Sequence, residues 1–138
     1  MAGRIANTVY YAENPQVLAG FWAAVLDYRI DGEFSDRLRS GGLDDAAIAN
    51  RILVRNPDGG AGLVFRHTPA PRAGRNRVHF DVQATPGRRP TPEELDAARD
   101  ELVALGATVV RLVDQDWGPF HEHYYQMVDP EGNEFCLQ

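Results

Sequence analysis

The chain is written twice. Asn56-Pro57-Asp58-Gly59-Gly60 and Asp129-Pro130-Glu131-Gly132-Asn133 are the same kind of turn, and Pro57 and Pro130 stand 73 residues apart. Asn7, inside the β-branched and aromatic run Ile5–Tyr11, precedes His79, inside the similar run Arg77–Gln83, by 72 residues. A helix signal follows each run. Asn14-Pro15 offers a capping amide and then a proline at the first helical position, where its missing N–H costs nothing. Thr91-Pro92-Glu93-Glu94 has the spacing of a capping box with the same proline. A period this long marks a duplicated supersecondary unit, not a solenoid repeat. Two small sheets gain more burial within one domain than as independent cores.

The remaining elements follow from periodicity. Leu18, Phe21, Trp22, Val25 and Leu26 mark one helical face that stops near Asp27. Leu95, Ala98, Leu102 and Leu105 mark another, and Gly106 can end it. Strands are predicted at Tyr28–Ile30, Ile48–Val54, Gly62–Arg66, Thr108–Val113, His121–Val128 and Phe135–Leu137. The stretch 34–50, with its serines, glycines and paired aspartates, reads as a loop, and so does Asp114–Pro119. Each half is then strand, helix, strand, strand, turn, strand. The expectation is an α+β fold of two βαβββ repeats, about 4–68 and 76–138, in a single domain spanning 1–138.

With 20 acidic against 14 basic residues, the net charge of −6 argues against a phosphate-binding surface, so no nucleic-acid partner is expected. The basic cluster Arg66–Arg77, with His67, Arg72 and Arg75, is interrupted by Pro69, Pro71 and Gly74 and reads as a solvated loop. One cysteine, Cys136, excludes an internal disulfide. No stretch approaches the roughly 20 apolar residues of a membrane span, and MAGRIANTVYY lacks a signal-peptide core, so a cytoplasmic protein without membrane partner is expected.

Asp129-Pro130-Glu131-Gly132-Asn133-Glu134-Phe135-Cys136-Leu137 resembles the closing turn and strand of the glyoxalase/bleomycin resistance/dioxygenase (vicinal oxygen chelate) superfamily, in particular its glyoxalase-like domain branch. Val78-His79-Phe80-Asp81-Val82 resembles the strand opening that family's second repeat, and Leu18-Ala19-Gly20-Phe21-Trp22 its first helix. The resemblance covers nearly the whole chain apart from 34–50. It implies a curved, half-open mixed β-sheet cleft flanked by helices, and a homodimer. Metal-dependent members carry ligands at four cleft positions. Here these fall on Asn7, on a residue within Leu63–Arg66, on His79 and on Cys136. A neutral amide, an apolar or cationic side chain, one imidazole and one thiol make a poor divalent site, which wants three or four converging donors, some of them charged.

The reading is therefore a glyoxalase-like protein without metal or cofactor that binds a small apolar or aromatic molecule in the cleft. It would sequester that molecule or perform modest acid–base chemistry with His79 as the catalytic residue. The expected lining is Asn7, Phe65, His79, Trp117, Tyr125 and Cys136. Trp117 and Phe120 are placed where rings can cap a ligand. His121 and His123 alternate and share a face with Tyr125 and Met127, which gives two metal donors and reads first as a polar strand. Two alternatives stand beside this reading. One is a metal-dependent lyase, isomerase or dioxygenase that uses His79 with His121, His123 or Asn7. The other is an interaction or regulatory module whose cleft is filled by its own side chains. No nucleophile elbow, phosphate loop or dinucleotide fingerprint is present.

Overall fold

The computed structural model describes residues 2–138 and divides into two compact units, Met1–Pro71 and Arg72–Gln138. Each unit is a four-stranded mixed sheet with flanking helix, so the α+β fold of two βαβββ repeats is observed. In the first unit, β1 (Asn7–Ala12), α1 (Pro15–Leu26), β2 (Arg29–Ile30), α2 (Gly32–Ser40), α3 (Asp45–Ala49), β3 (Arg51–Arg55) and β4 (Gly62–His67) give the strand order β1-β4-β3-β2. In the second, β5 (Phe80–Val82), α4 (Pro92–Ala104), β6 (Thr108–Trp117), β7 (Phe120–Val128) and β8 (Glu134–Leu137) give β5-β8-β7-β6. The outer pairs β1–β4 and β5–β8 are parallel, and the other pairs are antiparallel. Asn7 lies opposite Gly62 and Phe80 opposite Phe135, 55 residues apart in each case, so the duplication extends to strand register.

Both long helices start as the sequence dictates. The Asn14 side chain accepts from Val17 N, and Thr91 and Glu94 form the reciprocal capping box. α1 ends on Asp27 in the left-handed conformation, φ +53. The apolar face of α1 buries Leu18, Phe21 and Trp22 in the first unit, where Tyr10 stacks on Phe65 and sits against Trp22. In the second unit, Leu95 and Leu102 of α4 are buried, as are Tyr125, Met127, Phe135 and Leu137 of the sheet.

Four expectations are corrected. The stretch 34–50 is not a loop: Asp31 caps α2 through Phe34 N at 3.0 Å, and Asp44 caps α3 through Ala47 N at 2.8 Å. Asp31 also pairs with Arg55. α2 buries no residue, so caps and charge specify it without an apolar stripe, and Ile48 belongs to α3, with β3 starting only at Arg51. Asp114–Pro119 is mostly strand, since β6 runs on to Trp117 and pairs with β7 down to Trp117–Phe120. Gly118-Pro119 alone makes the turn, Gly118 taking φ +58, the sign a two-residue hairpin needs at its first central position. β5 is confined to Phe80–Val82, which leaves His79 just ahead of it. Among the described residues, no helix is long and apolar enough to cross a membrane.

Candidate functional site

Strand alternation gives the second sheet two unlike faces. Phe135, Leu137, Met127 and Tyr125 turn to the α4 side and are buried. Cys136, Gln126 and Asp81 turn the other way, brought side by side by the pairs Asp81–Cys136 and Gln126–Cys136. His79, two residues before Asp81, completes this group: its Nε2 lies 3.2 Å from Asp81 Oδ1. One donor atom each from His79, Asp81 and Cys136 falls within 4.8 Å of the others.

Burial, then the charge and hydrogen bond of Asp81, push the Cys136 thiol up to about 11. The thiol is thus neutral at physiological pH and donates to Asp81, which also faces His79. Tyr124 is raised mainly by its own burial, so it too stays neutral on this face.

A cavity of about 250 Å³ opens beside the group, lined by His79, Cys136, Arg75, Arg111, Gln126 and Phe135 among others. A smaller recess of about 160 Å³ joins His79, Asp81 and Cys136 to Glu122 and Tyr124. Glu134, at the cavity wall, is taken up by Arg72 Nη2 at 2.6 Å and by Asn76 N at 2.8 Å. Burial works to raise its pKa, but the bonds from Asn76 N and Arg72 prevail and hold it below the usual carboxylate range. Arg111 uses its Nε on Gln126 Oε1 at 2.7 Å. Among the described residues, neither Arg75 nor Arg111 has a carboxylate within salt-bridge distance.

The structure brings together His79 and Cys136 of the residues singled out in the sequence. Tyr125 belongs to the α4 side, where its hydroxyl donates to Asp96 Oδ1 at 2.6 Å and accepts from Arg99 at 2.5 Å. Phe65 is fully buried in the first unit's core and exposes no surface to a ligand. Asn7 lies at the start of β1 beside a recess of about 330 Å³ with Arg55 and Gly62. Trp117 is 67% exposed and stacks on Phe120 at 6.4 Å, at the tip of the β6–β7 hairpin. Sequence reasoning missed three contributors. Asp81 was findable, because it shares a face with His79 at alternate spacing in Val78-His79-Phe80-Asp81-Val82. Arg75 was assigned to a solvated loop, and Arg111 lay in a strand with no feature to distinguish it.

The shared register also tests whether a metal fits the family's positions. Val9 pairs with Val64 as Asp81 pairs with Cys136, so Val64 is the counterpart of Cys136. Carried over from the resemblance, the four positions would fall on Asn7, Val64, His79 and Cys136: an amide, an alkyl group, an imidazole and a thiol held neutral. That donor set does not fit a divalent ion of the kind bound by nitrogen and carboxylate ligands.

A family model described as a glyoxalase-like domain matches residues 7–138. Among curated proteins none matches the chain. A glyoxalase/bleomycin resistance protein/dioxygenase family enzyme from Burkholderia phytofirmans superposes with a TM-score of 0.67 at 14% identity, covering 98% of this chain and 97% of its own. The fosfomycin resistance protein FosX from Mesorhizobium loti gives 0.64 at 11% identity, over 100% of this chain and 92% of that one. A FosX variant from Listeria monocytogenes, complexed with Mn(II) and 1S,2S-dihydroxypropylphosphonic acid, gives 0.65 at 12% identity, over 100% and 90%. Likeness at these identities shows the fold.

Proposed function

The chain belongs to the glyoxalase-like domain family, and we propose that it binds a small anionic organic molecule on the sheet face around His79, without a metal. The observation that carries this reading is the pair of guanidinium groups, Arg75 and Arg111, at one cavity of about 250 Å³ and free of salt-bridge partners among the described residues. A planar guanidinium meets a carboxylate or phosphonate with parallel N–H donors, a geometry that lysine lacks. Val110, an exposed apolar side chain at the same cavity, adds wall for the rest of the molecule. The sequence suggested an apolar or aromatic ligand. The charged lining moves the proposal to an anion carried on a small apolar body.

His79 supplies the acid–base chemistry in this reading. With its Nε2 proton on Asp81, the imidazole presents Nδ1 as acceptor toward an acidic proton of the ligand. Cys136, neutral, contributes packing and a donor to Asp81. The phosphonate bound by the Listeria relative is the same class of anion and supports the choice of probe. The open cavity favours this reading over a module with a filled cleft. The proposed assembly is a homodimer of the 15.3 kDa chain, measured by sedimentation velocity.

Propylphosphonate and benzoate, titrated calorimetrically into the full chain, test the proposal. Removing one guanidinium from a charge-assisted contact costs about 1.5–3 kcal/mol, so Arg75→Gln and Arg111→Gln each weaken binding by roughly 10- to 100-fold. Equal affinity for wild type and both variants would refute the assignment.

A further inference from the structure

A second group of donors lies on the other face of the same sheet, away from His79. Asp114 and Asp116 alternate on β6, and His121 and His123 alternate on β7. The register sets Asp114 directly opposite His123 and Asp116 directly opposite His121. The four side chains form a square on one face of a two-stranded ribbon, closed at its tip by Gly118-Pro119 and the stacked Trp117 and Phe120. His121 Nε2 lies 3.0 Å from Asp114 Oδ1, and His123 Nδ1 lies 3.6 Å from Asp114 Oδ2. The remaining nitrogen of His121, Nδ1, is 2.8 Å from Asp116 Oδ1.

We propose that Asp114, His121 and His123 form a binding site for one divalent transition-metal ion, with Asp116 as the positioning residue for the His121 ring. Two imidazoles and one carboxylate are the donor types that zinc and its neighbours take. Tetrahedral donors about 2.0–2.2 Å from such an ion sit roughly 3.3 Å from one another; one donor atom each from Asp114, His121 and His123 lies within 4.8 Å of the others, so small side-chain rotations close the set. Asp116 adds an independent feature: a metal-bound imidazole characteristically gives its other N–H to a carboxylate, which fixes the tautomer and the ring plane. His121 has that arrangement before any ion arrives. Both histidines also line a cavity of about 480 Å³, which gives an ion access. Ten consecutive residues, Asp114–His123, carry the whole site, so it depends on the hairpin and not on the His79 group.

The test uses the full chain, stripped with chelator and desalted, titrated with Zn²⁺ at neutral pH. Calorimetry gives the stoichiometry, and long-range ¹H–¹⁵N spectra of the imidazole rings identify the ligands in the unmutated protein. The expected result is one ion per chain, with ring shifts at His121 and His123 and none at His79. Asp116→Asn weakens the ion by about 10- to 100-fold without moving the thermal midpoint of the metal-free protein. His123→Ala weakens it at least as much, and the double variant His79→Ala/Cys136→Ser leaves it unchanged. Shifts at His79 instead, no ring shift at His121 and His123, or wild-type affinity in His123→Ala overturns the proposal and leaves the four side chains as surface ion pairs.

Discussion

The chain has a single thiol, so the ionisation of Cys136 can be followed without interference. The structure places it at about 11, against an ordinary 9.0, through burial first and the nearby Asp81 second. Two units of displacement leave about 100-fold less thiolate at pH 7.4 than an ordinary cysteine carries. Alkylation by iodoacetamide, followed by intact mass from pH 7.4 to 11.5, therefore rises with an apparent midpoint near 11. The midpoint is the informative quantity, because restricted access slows the rate at every pH without moving it. Asp81→Asn removes a charge that opposes the thiolate but leaves the burial in place. Its midpoint falls part of the way toward 9.0, and its reactivity at pH 7.4 rises by less than about 100-fold. No change in Asp81→Asn refutes the coupling to Asp81, and a wild-type midpoint at or below 9 refutes the neutral thiol itself. Such a midpoint would also reopen Cys136 as a metal donor.

Three further predictions concern the scaffold of each unit. The carboxylate of Asp129, only 2% exposed, accepts from the backbone N of Glu131 and of Asn133, each at 2.9 Å, and from the Asn133 side chain. Asp129→Ala strands these donors in the turn before β8 and costs about 2–4 kcal/mol in urea unfolding; a loss under about 1 kcal/mol would contradict the turn's role. Phe65→Ala removes a fully buried ring and costs about 3–5 kcal/mol in the same assay, with no direct loss of ligand contact. The hydrogen bond from Arg88, then that from Thr91 N, lower Glu94 to about 2. A lowered carboxylate stabilises above its ordinary value of 4.5 and loses that contribution as pH falls through about 2, so the first turn of α4 frays in that window, read from backbone amide shifts at Thr91–Glu94.

The parts of this molecule written in local chemistry were legible in the sequence. The caps at Asn14 and Thr91, the turns at Pro57 and Pro130, and the duplication itself depend on residues within a few positions of one another. α2 and α3 were missed because Asp31 and Asp44 cap helices that carry little or no buried stripe, and periodicity is silent there. The hairpin was cut short at Asp114 because its outer half is polar on both faces. Faces were harder still. Alternation says that Phe65 and Val64, or Tyr125 and Tyr124, point opposite ways, but only the packed helix decides which side is core. That is why Phe65 and Tyr125 were assigned to the lining while Asp81 was passed over. His79 and Cys136, far apart in sequence, meet through strand register, and the motif resemblance located them before the register was known.

The central claim is that the His79 face holds an anion without a metal. It is tested most directly by ¹H–¹⁵N correlation spectra of chelator-stripped, desalted protein titrated with propylphosphonate. The account predicts saturable shifts clustered at Arg75–Asp81, Arg111, Gln126 and Cys136, unchanged when Mn²⁺ is absent and lost in Arg111→Gln. Shifts that arise only after a divalent ion is added, or that cluster elsewhere, would contradict it.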